Sequence, residues 1–129
     1  MKSTFRGYKG DKYMGTIRNR VVIIHHYKKE EIEELRKDAI EFFQNIISEN
    51  LPYLKFDVDK EMITPIMESL INHEYTFVIN GECSKIGWTE SDLFEEKRNK
   101  WIEENKDKCQ NIILVDFGED YEANMKEFK

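Results

Sequence analysis

The chain has 129 residues, 40% of them apolar and 36% charged, with 20 basic against 26 acidic side chains. That length suits one domain, and eight Phe, six Tyr and two Trp are enough for its core, which argues against a two-domain enzyme and against a wholly disordered chain. The net charge of −6 hides a polarity: residues 1–29 carry +7 and the remaining hundred −13, a basic arm on an acidic body.

Met1-Lys2-Ser3-Thr4-Phe5-Arg6 has charge but no apolar stretch after it. The longest aliphatic runs, Val21–Ile24 and Ile112–Val115, are far short of a membrane span. No lipidation signal precedes Lys129. The expectation is a soluble, cytoplasmic protein with no membrane partner. Cys83 and Cys109 do not form a C-x-x-C pair and read as two free thiols.

Residues 1–15 read as a basic, glycine-punctuated arm with Gly7, Gly10 and Gly15 at its turns. Thr16–Tyr27, with Val21-Val22-Ile23-Ile24 at its centre, reads as a buried strand. From Lys28 to about Asn50, Ile32, Leu35, Ala39, Phe42, Phe43, Ile46 and Ile47 fall at steps of three and four and predict an amphipathic helix. Its first turns are rich in Glu, and Leu51-Pro52 stops it. Tyr53–Lys60 reads as a connection or a short strand.

Met62–Asn72 has two readings. Ile63, Ile66, Met67, Leu70 and Ile71 fit a helical period, but Asn72-His73-Glu74 is a plausible turn into the strand Tyr75–Asn80. Gly81–Gly87 is a turn-rich connection. Thr89-Glu90-Ser91-Asp92 looks like a helix start with a capping hydroxyl, and the helix runs to about Lys106 on Leu93, Phe94, Trp101 and Ile102. Asn111–Phe117 is the last strand, and 121–129 is a polar tail, loose or weakly helical. With a hairpin at 62–80 the order is β-α-β-β-α-β. That is an α+β, ferredoxin-like split β-α-β plan, with a four-stranded sheet and two helices on one face. The alternative is a smaller α+β sandwich with a third helix at 62–72.

No catalytic constellation stands out, and no metal or cofactor motif. His25 and His26 end the first strand, and alternation sends them to opposite faces, so they do not readily share an ion. The glycine-rich loop with Lys9 and Lys12 could cradle phosphate through its amides, yet it lacks the phosphate-loop order and precedes a strand. Trp88, between Gly87 and a helix start, reads as an anchor to the core or to a second subunit, with ligand stacking as the other reading. Asp116, Glu119 and Asp120 are either a divalent-cation cluster or a solvated strand end.

Two stretches carry a resemblance. One runs from Gly7-Tyr8-Lys9-Gly10 to Arg18-Asn19-Arg20-Val21-Val22-Ile23. The other is Asn80-Gly81 through Ser84-Lys85-Ile86-Gly87-Trp88, then Glu90-Ser91-Asp92 and Arg98. Together they cover about half of the chain, which resembles small uncharacterised bacteriophage and prophage proteins. The resemblance implies a bacterial cytoplasm and action on host machinery, and it transfers no residue role.

The functional expectation is a non-enzymatic binding or regulatory protein that acts through a protein interface or by self-association. Tyr8, Tyr13 and Trp88 are its aromatic anchors. A nucleic-acid or nucleotide binder is the second reading, with Lys9, Lys12, Arg18 and Arg20 on phosphates. A small enzyme acting on phosphoester or nucleotide substrates, using His25 or His26 with Lys9 or Lys12, is the third.

Overall fold

The structure is a computed structural model that describes residues 16–129. The arm, with Tyr8, Lys9, Lys12, Tyr13 and the glycine-rich loop, lies outside the described residues. The chain forms strand β1 (Ile17–His26), helix α1 (Lys29–Asn50), the short helix α2 (Val58–Glu61), and strands β2 (Met67–Glu68), β3 (Tyr75–Ile79) and β4 (Ser84–Lys85). Helix α3 (Thr89–Asn105) follows, then a 3-10 turn and strands β5 (Asn111–Gly118) and β6 (Asn124–Phe128).

The fold is α+β, an open antiparallel sheet in the order β2-β3-β1-β5-β6, with β4 also paired to β1. Six strands stand where four were expected, and a third helix accompanies the two long ones. That third helix is not at 62–72. Asp57 caps α2 through its side chain, which accepts from Asp59 N–H. The 62–72 segment pairs Met67 with Thr76 and Glu68 with Tyr75, and turns through Asn72 and His73, both at positive φ. The helical spacing there lost to the hairpin because edge pairing satisfies backbone groups that an isolated short helix leaves unmet.

The polar tail is neither loose nor helical: Asn124–Phe128 adds an edge strand, with Ile112 opposite Phe128 and Val115 opposite Met125. β1 is central because its Val-Ile run can be buried from both sides of the ladder, between β3 and β5.

Alternation sorts β1 into two rows. Arg20, Val22, Ile24 and His26 are buried beneath the helices. Ile32, Leu35, Ala39, Phe43, Ile46 and Ile47 of α1 and Phe94, Trp101 and Ile102 of α3 pack into one core with Val22, Ile24, Phe77, Ile79 and Ile112. Trp101 Nε1–H donates to Asp38 Oδ2 at 3.0 Å and ties the two long helices together. The opposite row, Val21, Ile23 and His25, lies with Val78, Ile113, Val115 and the exposed Phe117 and Met125 on a face that no described helix covers.

Candidate functional site

At one end of the sheet the face beneath α3 turns polar. Arg18 and Arg20 continue the row of Val22. Helix α3 brings Ser91, Glu95 and Arg98, one stripe spaced by four and three, onto the same end. The connection after β3 brings Glu82. The ion pairs run as a chain. Arg98 Nη2 donates to Glu82 Oε1, and Glu82 Oε2 lies 3.6 Å from Arg20 Nη2. Arg20 Nη1 meets Glu95 Oε2 at 3.0 Å, and Glu95 Oε1 takes Arg18 Nη2 at 3.4 Å. Arg98 is 2% exposed, Arg20 3%, and the Glu82 side chain 8%. Burial pulls the Arg98 guanidinium below its ordinary range, Glu82 pushes it back up, and Arg20 lowers it further.

Gly81 makes this approach possible. A Cβ there would strike Asn19 Oδ1 and the backbone of Arg20. Between Ile79 and Ser84 the pairing to β1 also slips by one residue, as in a bulge. The bulge carries Glu82 inward and leaves Cys83 exposed at φ 53°.

Beside the chain of ion pairs lies a cleft of about 480 Å³. Ile47 and Leu51 at the end of α1, Leu54, Phe56, Met62 and Phe94 form its apolar walls. Glu82 and Ser84 line its inner side, and Cys83 and Trp88 also border it. Its lining holds three carboxylates, Glu61, Glu82 and Glu90, and no basic side chain. Glu82 is neutralised by its arginines, so the acidic character belongs to Glu61 and Glu90. Trp88 is 50% exposed and carries Lys85 Nζ 4.9 Å from its ring centroid, so it is not an anchor sunk in the chain's own core.

Each sequence-derived candidate among the described residues has a definite place. Arg18 and Arg20 both pair with carboxylates, and Arg20 is buried, so they do not form an open basic surface for a phosphate backbone. Trp88 borders the cleft. His25 stands alone on the other face, its Nε2 2.6 Å from Glu74 Oε1 and its Nδ1 2.8 Å from Thr76 Oγ1. His26, as alternation required, points the other way and bonds Glu31 Oε1 at 2.8 Å.

The expected hydroxyl cap of α3 is not made: Trp88 occupies the N-cap position with no side-chain bond, and Ser91 is buried. Tyr121 donates to Asp116 Oδ1 at 2.6 Å, and Glu119 Oε1 accepts from Ile17 N–H. The described residues contain no group of His, Cys, Asp and Glu arranged to hold a metal ion. Nor do they include a helix long and apolar enough to cross a membrane.

Sequence reasoning missed Glu82, Ser91, Arg98 and the apolar walls. A signal existed for two of them. Ser91 and Arg98 fall on the same helical stripe as Phe94, Trp101 and Ile102, where a polar side chain is either satisfied inside or waiting for a partner. No family model, curated protein or solved structure matches the chain, so the reading of this site rests on its own residues.

Proposed function

We propose that this chain is a binding protein that takes an apolar side chain of a protein partner into the Trp88 cleft. The partner's anchor is flanked by basic residues. The observation that carries the reading is the make-up of the cleft: apolar walls, a half-exposed tryptophan, and carboxylates at Glu61 and Glu90 without a basic side chain in the lining. Aromatic side chains in desolvated pockets supply most of the binding energy of interfaces, and rim charges select the partner's sign.

The strand order β2-β3-β1-β5, with both long helices sharing one core, supports a ferredoxin-like plan extended by β4 and β6. Nucleic-acid binding loses two of its four proposed contacts, because Arg18 and Arg20 are held by Glu82 and Glu95.

The test is fluorescence anisotropy with three labelled peptides. One carries Leu and Phe flanked by Lys and Arg, one the same anchors flanked by Asp and Glu, and one the basic flanks without anchors. The first binds, weakens with salt, and loses about tenfold or more in affinity on Trp88→Ala. Equal binding of the acidic peptide, or indifference to Trp88→Ala, overturns the reading. A fourth peptide with the sequence of residues 1–15 covers self-recognition. If it alone binds and needs Trp88, the occupant is this chain's own sequence and the proposed partner is wrong.

A further inference from the structure

We propose that the polar end of the helix-covered face is a binding site for one small oxyanion, held by Arg20, Arg98, Ser84 and Ser91. Nine buried side-chain nitrogen and oxygen atoms among the described residues have no hydrogen-bond partner. Seven of them belong to this one cluster: Nε of Arg18, Nε and Nη2 of Arg20, Nη1 of Arg98, Oγ of Ser84 and Ser91, and Oε2 of Glu82. An unsatisfied buried polar atom costs about 1–3 kcal/mol, so native proteins keep few of them and do not gather them without cause.

The kind of atom decides the kind of ligand. Four of the seven are guanidinium nitrogens that can only donate, two are hydroxyls able to donate, and one is an acceptor. The charges agree. Arg20 and Arg98 are buried against a single buried carboxylate, Glu82, while Glu95 at the edge is nearly half exposed. The cluster therefore has donors and positive charge in excess, and the missing group is a compact acceptor with negative charge.

Placement also fits. Ser84 pairs with Arg18 in the ladder and shares its face. Arg98 and Ser91 are both buried on the same face of α3, two turns apart. Glu82 and Ser84 also line the Trp88 cleft, so the cluster borders it. The inference goes beyond the cleft reading and does not depend on a protein partner.

The experiment is thermal unfolding of the full chain in sodium phosphate against sodium chloride at matched pH and ionic strength, with inorganic phosphate as the probe. The expected result is a rise in Tm that saturates with phosphate concentration. Two variants separate a bound ion from general salt stabilisation. Ser91→Ala removes a buried hydroxyl without a hydrogen-bond partner, so its Tm in chloride does not fall below the wild-type value, while its apparent phosphate affinity falls about tenfold. Glu82→Gln removes the competing carboxylate; its Tm drops in chloride, and phosphate restores it with a larger shift than in wild type.

A non-saturating rise of equal size in wild type and Ser91→Ala overturns the proposal. So does a Glu82→Gln protein that phosphate does not rescue. A high-resolution crystal structure grown with phosphate, in which ordered waters alone meet the seven atoms, overturns it independently.

Discussion

Two ends of one sheet face are built on opposite logics. Around Val22 and Ile24 of β1 the side chains under the helices are apolar, and Phe77, Ile112, Phe43 and Trp101 close the space between them. At the other end the same row of β1 presents Arg20 and then Arg18, and α3 answers with Arg98, Glu95 and Ser91 instead of Phe94 and Trp101. This half is buried at Arg20, Arg98 and Ser91, and its ion pairs still leave buried donors without a hydrogen-bond partner. An apolar core is complete when water is gone. A polar core is complete only when every donor has an acceptor. The unfinished half borders the cleft, which is why function is sought there.

The comparison can be broken from either side. The largest effect belongs to the apolar end: Phe77→Ala destabilises by about 3–5 kcal/mol, seen as a lower urea midpoint with an unchanged slope. Arg98→Ala has a loss of similar size, ~3–5 kcal/mol, because it leaves the buried Glu82 carboxylate without its closest partner. Replacing both ends of that pair with apolar side chains of similar volume, Arg98→Met with Glu82→Leu, costs much less than the single change. If the double variant is as unstable as Arg98→Ala, the buried pair is not the source of the loss.

Gly81→Ala comes next, at roughly 1–3 kcal/mol. The new methyl meets the backbone of Arg20, which cannot turn aside as a side chain can. The same variant displaces Glu82 and weakens peptide binding in the anisotropy assay. A Gly81→Ala protein with wild-type stability and wild-type binding would show that the close approach of the bulge to β1 is dispensable.

The smallest effect is on pH. Burial raises the Cys109 thiol from 9.0 to about 11. The folded chain then holds its proton where the unfolded chain has lost it. The contribution is therefore full below pH 9 and is lost as pH rises toward 11. Urea midpoints measured across that window fall for the wild type and fall less steeply for Cys109→Ala.

The sequence made the apolar half readable. A period of 3.6 in α1 and β-branched runs in β1 and β5 are signals that hydrophobic burial itself writes, so those elements appear within a residue or two of their predicted bounds. The polar half was less readable because its information is relational. Arg20 and Arg18 look like surface arginines until α3 is seen to bring Glu95 beside them and the bulge to bring Glu82. Trp88 stands out in the sequence, but the cleft it borders is assembled from residues at 47–62 and 80–94, which no local pattern connects. Strand β6 was invisible because an exposed edge strand needs no apolar alternation.

The cleft beside Trp88 is the proposed recognition surface. The most direct test is an amide and indole nitrogen–proton NMR titration of the full chain with the basic, apolar-anchored peptide. The chain has two indoles, Trp88 half exposed at the cleft and Trp101 buried in the core. The account predicts that the Trp88 indole shifts, with the amides of Cys83, Ser84, Leu51 and Leu54, while the Trp101 indole stays in place. Shifts confined to Val21, Ile23, Val115 and Phe117, with a silent Trp88, would place recognition on the uncovered face of the sheet and contradict it.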